Sequence, residues 1–238
     1  MAPPPFDAEL EEAWPLASNV KAFRFRALGT ERFDFVPGQW VSFSLPIGKG
    51  APEPKAYSIA SPPDGTQRFE LAVTHVTGGP ASEFLHALAP GARLHGTGPQ
   101  GFFTLDRVPE RPALFVGTGT GVAPLRSMIE WALAHGATTP MTLLFGVRTQ
   151  DDLLYGADFE RLARAHANFR FVPTLSRPKH GWTGQHGYVQ THLAALLGDR
   201  SDADVYVCGV RKMVDDVRRI LRKDLGFPRE RVHYERYD

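Results

Sequence analysis

The stretch Leu114-Phe115-Val116-Gly117-Thr118-Gly119-Thr120-Gly121-Val122-Ala123-Pro124 decides how this chain is read. Its apolar start suits a buried strand, its glycines make a loop, and Pro124 suits the first turn of a helix. Glycines let a backbone come close to a phosphate, and the unpaired N–H groups at a helix start attract one. A dinucleotide pyrophosphate fits such a turn. The spacing is neither the Rossmann G-x-G-x-x-G nor a Walker A sequence with its lysine, and a plain strand-to-helix turn would read the same way.

Downstream, apolar runs at 113–116, 141–147, 169–175, 204–208 and 231–237 alternate with helical segments. That rhythm predicts an open α/β domain with a parallel five-stranded sheet. A helix from Pro124 to His135 puts Leu125, Met128, Ile129, Ala132 and Leu133 on one face. Another from Arg211 to Leu225 does the same with Met213, Val214, Val217 and Leu221, and both are expected to pack on the sheet.

Upstream, the period is two. Phe23 and Phe25 alternate with Arg24 and Arg26, Val41, Phe43 and Leu45 with Ser42 and Ser44, and Phe69, Leu71 and Val73 repeat the pattern. Pro37-Gly38, Pro62-Pro63-Asp64-Gly65 and Pro90-Gly91 break it at short intervals, as in an antiparallel β-barrel. One short helix, Pro80 through Leu88, follows Gly78-Gly79. The expected layout is two-domain: an antiparallel β-barrel over residues 1–108, then the α/β domain over 109–238. The first five residues, rich in proline, are expected to be disordered.

Composition narrows the function. The chain has 238 residues, 42% of them hydrophobic, which is enough for two packed cores. Lys and Arg number 27 against 26 Asp and Glu, so a net charge of +1 gives no whole-chain field for nucleic acid or acidic membranes. The single cysteine, Cys208, excludes an internal disulfide framework and an all-cysteine iron–sulfur cluster, which takes about four ligands. No metal is expected. No window approaches the ~18–20 apolar residues of a membrane span and no leader pattern opens the chain, so the cytoplasm is the expected compartment.

Two further segments carry chemistry. Gly78-Gly79-Pro80-Ala81-Ser82 places a hydroxyl in the first turn of the short helix, a second anion site or a plain capped helix. Lys55-Ala56-Tyr57-Ser58 sets a cation and an aromatic ring on one strand face and a hydroxyl on the other.

Phe35-Val36-Pro37-Gly38-Gln39, Lys55-Ala56-Tyr57-Ser58, Gly78 to Ser82, Gly98-Pro99-Gln100-Gly101-Phe102, Gly117 to Pro124 and Cys208-Gly209-Val210-Arg211-Lys212-Met213 stand in this order. Together they resemble the ferredoxin–NADP(+) reductase superfamily, from about Val20 to the C-terminus. The resemblance implies that Tyr57 stacks on a flavin ring, that Ser58 hydrogen-bonds near flavin N5, and that Lys55, Ala56, His75, Gly79, Ala81 and Ser82 hold the rest of the flavin. Lys55 departs from the family's usual Arg, exchanging a planar fork for a point charge. FAD is the expected cofactor over FMN.

For the second domain the resemblance places a nicotinamide dinucleotide on Thr118, Gly119, Thr120, Gly121 and Val122, with Cys208, Gly209 and Met213 beside the nicotinamide. A small residue such as Cys208 leaves room for hydride transfer; its plain alternative is a buried apolar residue. Arg148, Ser176, Arg177 and Tyr188 match the region where NADP-using relatives hold the 2′-phosphate, so NADPH is expected over NADH. His186 stands where the plant-type pattern has Lys. The ending His233-Tyr234-Glu235-Arg236-Tyr237-Asp238 resembles the family's Glu-x-Tyr terminus, with Tyr237 covering the flavin and Glu235 relaying protons; Asp238 lies one residue beyond the pattern. Ser58, Cys208, Glu235 and Tyr237 are thus the expected catalytic residues, at the seam of the two domains.

The implied activity is a flavin-dependent NAD(P)H oxidoreductase that passes electrons one at a time to a separate acceptor, a ferredoxin, flavodoxin or oxygenase component, with the enzyme a monomer. Arg24, Arg26, Arg32 and Lys49 are candidates for a basic docking face. Two alternatives stand: a reductase of free flavin, and a non-catalytic electron-transfer subunit.

Overall fold

The computed structural model describes residues 3–198 and 202–237, so the Asp238 departure lies outside the described residues. The chain divides into two compact units, one of residues 1–106 with 126–131 and one of 107–125 with 132–238.

The first unit holds β1 (Pro5–Ala17), β2 (Val20–Ala27), β3 (Trp40–Leu45), β4 (Glu53–Ser58), β5 (Arg68–Thr74), α1 (Pro80–His86) and β6 (Arg93–Gln100). The six strands form one antiparallel sheet in the order β4-β3-β6-β1-β2-β5. An antiparallel bridge between Ile59 and Leu71 brings the two ends of that sheet together. The result is the expected barrel. The period of two sends one face inward: Phe23, Phe25, Val41, Phe43, Leu45, Phe69 and Leu71 are all buried. Phe69 sits among the other rings, 4.8 Å from Phe33 and 5.8 Å from Phe25 between centroids.

The strand β1 was not foreseen, because Glu11-Glu12 and Pro15 hide its period and two register shifts, at Leu10/Glu12 and Pro15/Ala17, break it. Pro5 already pairs with Thr97 and the Pro4 carbonyl accepts the Gly98 N–H at 2.9 Å, so Pro4 and Pro5 are ordered, contrary to the expectation for the first five residues. The acidic side chains of β1 compensate the cations across the sheet. Glu9 takes Arg26 at 2.9 Å and Arg93 at 3.0 Å, Glu11 takes Arg68 at 2.6 Å, and Glu12 takes Arg24 at 2.8 Å. Arg32 pairs with Asp34 at 2.8 Å. Of the residues expected to form a basic docking face, Arg24, Arg26 and Arg32 each share their charge with a carboxylate.

The second unit holds β7 (Ala113–Thr118), most of α2 (Val122–Ala134), β8 (Met141–Val147), α3 (Gly156–Ala165), β9 (Phe169–Leu175), β10 (Gln185–His186), α4 (Leu193–Leu197), β11 (Asp204–Val210), α5 (Arg211–Arg219) and β12 (Val232–Tyr237). Its sheet is parallel, in the order β10-β9-β8-β7-β11-β12. The sixth strand, β10, has two residues, too few to show a period. The helix α5 ends at Arg219 and one π turn, Ile220–Asp224, continues it, whereas a single helix to Leu225 was expected. Met213, Val214, Val217 and Leu221 pack in one cluster with Val116, Val205, Val207 and Val232, as the amphipathic spacing requires. From β7 the chain steps outward through β8, β9 and β10, then returns to β11 on the other side. The strand order reverses between β7 and β11, and in open α/β sheets the crevice at such a point, beyond the strand C-termini, is where ligands bind.

Replacing Phe69 by Ala in the aromatic core is expected to cost about 3–5 kcal/mol in urea unfolding, whereas Glu12→Gln, which breaks an exposed pair, should cost less than about 1 kcal/mol. Equal losses would show that the ion ladder, and not the ring cluster, holds the barrel.

Candidate functional site

In the second unit the two loops at the switch point lie against each other. The strand β7 ends at Thr118 and a 3-10 turn, Gly119–Gly121, leads into α2. A Cβ on Gly121 would stand 2.5 Å from the Cys208 carbonyl oxygen and 2.6 Å from Gly209 Cα, so only glycine fits there. Gly209 has φ of +148°, and a Cβ on it would fall 2.3 Å from the Thr118 hydroxyl and 2.8 Å from Met213 Cε. Gly121 thus packs on backbone and Gly209 on the Thr118 and Met213 side chains, the close approach that a loop cradling a phosphate requires. Thr118 Oγ1 is buried with no hydrogen-bond partner in the structure. Buried hydroxyls are nearly always paired, so this one suits a ligand's polar group. Gly119 is exposed with φ of +54°, Thr120 is half-buried and Val122 is fully buried under the turn.

Cys208, Glu235 and Tyr237 come together through the register of β11 and β12, in which Cys208 faces Glu235 and Val210 faces Tyr237. Cys208 is fully buried. Burial pushes its thiol well above the usual range, the Glu235 carboxylate adds to the rise, and the Tyr237 hydroxyl, which donates to it, pulls weakly the other way. The thiol is therefore a neutral, closed group and not a nucleophile.

At the far end of the same sheet edge, Arg148 follows β8, Ser176 and Arg177 follow β9, and Tyr188 follows β10. The Ser176 N–H donates to the Val147 carbonyl at 3.0 Å and the Arg177 N–H to the Arg148 carbonyl at 2.8 Å, which ties the two turns side by side. Arg148 and Arg177 are exposed, and Tyr188 is 68% exposed. Two cations, a hydroxyl and a bare aromatic ring at adjacent strand ends form a surface suited to a purine and a phosphate dianion.

In the first unit, Lys55, Ala56, Tyr57 and Ser58 lie on the end strand β4. Tyr57 packs partly on the barrel core, and burial raises its phenol to about 12, so it stays neutral. Lys55 Nζ is 3.0 Å from Glu53, so its charge is shared with a carboxylate two residues away on the same face. Ser58 points to the opposite face, where its register partner is Trp40. Trp40 was not singled out in the sequence, and only its position opposite Ser58 in the folded sheet brings it to notice.

The helix α1 opens at Gly79 with Pro80 in its first turn. The Ser82 hydroxyl accepts the Val76 N–H at 3.0 Å and donates to the Gly79 carbonyl at 3.0 Å. It closes the loop on itself, so the expected hydroxyl of an anion site is turned inward. What the turn offers instead are backbone N–H groups of Ala81 and Ser82, which a first helical turn leaves without intrahelical partners. His75 leads into this loop, its ring 5.1 Å from that of His86. Burial pushes His86 below the usual imidazole range, and its Nε2 hydrogen-bonds the Val73 carbonyl at 2.9 Å.

Residues 7–105 match the family model described as "Oxidoreductase FAD-binding domain", and residues 115–219 match "Oxidoreductase NAD-binding domain". The chain is 45% identical over 240 aligned positions to ferredoxin–NADP reductase B of Sorangium cellulosum, covering 98% of both proteins. It is 29% identical to the glycine betaine monooxygenase reductase subunit of Pseudomonas aeruginosa, covering 96% of this chain and 62% of that subunit. Among solved structures, Amycolatopsis cytochrome P450 reductase superposes with a TM-score of 0.89 at 28% identity, over 99% of this chain and 71% of that one. Among the described residues no helix is long and apolar enough to cross a membrane, and no group of His, Cys, Asp or Glu is arranged to hold a metal ion.

Because Cys208 is closed and protonated, iodoacetamide at neutral pH is expected to label well under one equivalent of the native protein and a full equivalent after denaturation. Rapid stoichiometric labelling of the native protein would contradict its burial.

Proposed function

The chain belongs to the ferredoxin–NADP reductase superfamily of flavin- and pyridine-nucleotide-dependent oxidoreductases, and we propose that it carries electrons from NADPH through FAD to a separate protein acceptor. When bound, a flavin would supply the capacity to accept a hydride at N5 and to release electrons singly. The residues position and insulate it. Tyr57 supplies a neutral aromatic face, Ser58 a hydrogen bond near N5, and Lys55 with the first-turn N–H groups of Ala81 and Ser82 a hold on the flavin phosphates. Gly79 lets the chain approach, and Ala56 and His75 line the same site.

On the second unit, the turn from Thr118 to Val122 takes the nucleotide pyrophosphate, with the Thr118 hydroxyl as a ligand donor. Gly209 and Met213 shape the nicotinamide end. Tyr237 would cover the stacking place that nicotinamide takes, and Glu235 would relay protons. The acceptor is a ferredoxin, flavodoxin or oxygenase component, in keeping with relatives that are a ferredoxin–NADP reductase and a monooxygenase reductase subunit. The observation that carries the nucleotide choice is the joined pair of turns bearing exposed Arg148 and Arg177. Arginine forks grip a phosphate dianion, and NADH has no 2′-phosphate to engage them.

A second reading is favoured by one contact. The Glu53 carboxylate beside Lys55 weakens its grip on phosphate, which suits flavin as an exchangeable substrate. Gel filtration separates the two readings, since a yellow protein peak supports a resident cofactor and a colourless one supports free-flavin reduction.

With flavin-loaded protein and ferricyanide as acceptor, Arg177→Ser is expected to raise KM for NADPH about tenfold or more, the loss of one charge-assisted contact, and to leave KM for NADH within about twofold. Equal effects on both nucleotides would remove the 2′-phosphate role.

A further inference from the structure

Tyr188 stands 68% exposed, yet its stem is fastened on both sides. The strand β10 just before it has only two residues, Gln185 and His186, set against Thr174 and Leu175 of β9. So short a pairing holds a turn weakly. Side chains supply the rest. The buried Thr174 hydroxyl donates to the Gly187 carbonyl at 3.0 Å, and His192 Nε2 stands 3.0 Å from both the Thr174 hydroxyl oxygen and the His186 carbonyl oxygen. The Gly187 N–H donates to the Leu175 carbonyl at 2.9 Å, and its φ of +100° is one that glycine takes freely.

The protons of this cluster can be assigned. Thr174 has one hydroxyl proton, and the Gly187 carbonyl, which can only accept, takes it. The hydroxyl oxygen is then left to accept, as is the His186 carbonyl, and both face the same imidazole nitrogen. Nε2 therefore carries the ring proton and shares it between them. Beyond Tyr188 the chain is held as well. The Tyr188 carbonyl accepts the Thr191 N–H at 3.1 Å and the Thr191 hydroxyl at 2.8 Å, and Val189 is buried in the cluster of Val116 and Leu144. His192 closes this same 3-10 turn, Val189–His192. The Thr174 hydroxyl and the His192 Nε2–H thus converge on the two carbonyls that precede the bare ring.

We infer that Thr174 and His192 are positioning residues for adenine-nucleotide binding: by tying down the His186 and Gly187 carbonyls they set the Tyr188 ring for the purine before a ligand arrives. The inference rests on the reading of Arg148, Ser176, Arg177 and Tyr188 as the adenosine end. A ring on a loose stem must be ordered at each binding event, and that ordering subtracts from affinity. A stem already fixed has no such loss. The purine is common to NADPH and NADH, whereas the 2′-phosphate is not. The clamp therefore acts on both nucleotides alike, and Arg177 on NADPH alone. Because its action lies at the purine, the clamp governs binding and leaves the turnover rate alone.

The test measures NADP+ and NAD+ binding to the flavin-loaded full chain by calorimetry, and KM and kcat for both reduced nucleotides with ferricyanide. His192→Phe keeps a ring and removes the donor. It is expected to weaken both nucleotides about fivefold, the size of one neutral hydrogen bond, to raise both KM values in proportion and to leave kcat within about twofold. His192→Gln, whose amide N–H reaches toward the Nε2 position, should bind both within about twofold of wild type. Tyr188→Ser should weaken both nucleotides, and adding His192→Phe to it should cost nothing more, because the clamp acts through that ring. Thr174→Val, of nearly the same shape, should repeat the loss seen in His192→Phe and stands in for it if that variant does not fold. Unchanged binding in either clamp variant, a Gln variant as weak as the Phe one, or losses that add in the double variant overturns the inference. If Tyr188→Ser and Arg177→Ser both leave NADP+ and NAD+ binding unchanged, the adenosine reading itself falls.

Discussion

The second unit depends on one close approach, that of the Gly121 backbone to Cys208 and Gly209. Parallel strands β7 and β11 are neighbours, so the turns that leave them compete for the same volume at the sheet edge. With a Cβ on Gly121 meeting backbone atoms at 2.5 Å, neither turn could keep its course. The strand order reverses at this place, which opens a crevice, and the glycines leave it lined with backbone and one unpartnered hydroxyl on Thr118. A dinucleotide needs such a lining: narrow, rich in N–H groups and free of side chains that would hold it away.

The first unit solves a different problem. A small barrel has little interior, and here the interior is packed with phenylalanine rings, Phe25, Phe33, Phe43 and Phe69 among them. Its outer face is charged, with carboxylates of β1 set opposite guanidinium groups of β2, β5 and β6. Pairs this exposed add little stability each.

Much of this was legible from residue order. The period-two runs of β2, β3 and β5 and the apolar runs of the parallel strands are long and regular, and they predict two architectures in one chain. The strand β1 was illegible because its register shifts interrupt the alternation, and β10 because two residues carry no period. The π turn after α5 keeps the same apolar face as a helix, so spacing alone does not reveal it. At the candidate site, residue types were readable but their directions were not. The Ser82 hydroxyl turns back to Val76, Lys55 leans to Glu53, and Arg24, Arg26 and Arg32 find carboxylates that lie far apart in sequence or on a neighbouring turn. The partners of Arg24 and Arg26 are set by strand pairing in the fold, whereas Glu53 and Asp34 lie two residues from the cations they meet. Trp40 is the reverse case, silent in the sequence and notable once the sheet sets it opposite Ser58.

The central claim is that this chain unites a flavin site and a pyridine-nucleotide site for hydride transfer. The direct measurement is an anaerobic stopped-flow titration of the flavin-loaded protein with NADPH, following the flavin absorbance near ~450 nm, a band that belongs to the cofactor. The account predicts complete bleaching with one equivalent of NADPH per flavin, faster than with NADH. A flavin that remains oxidised in excess of both nucleotides would contradict it.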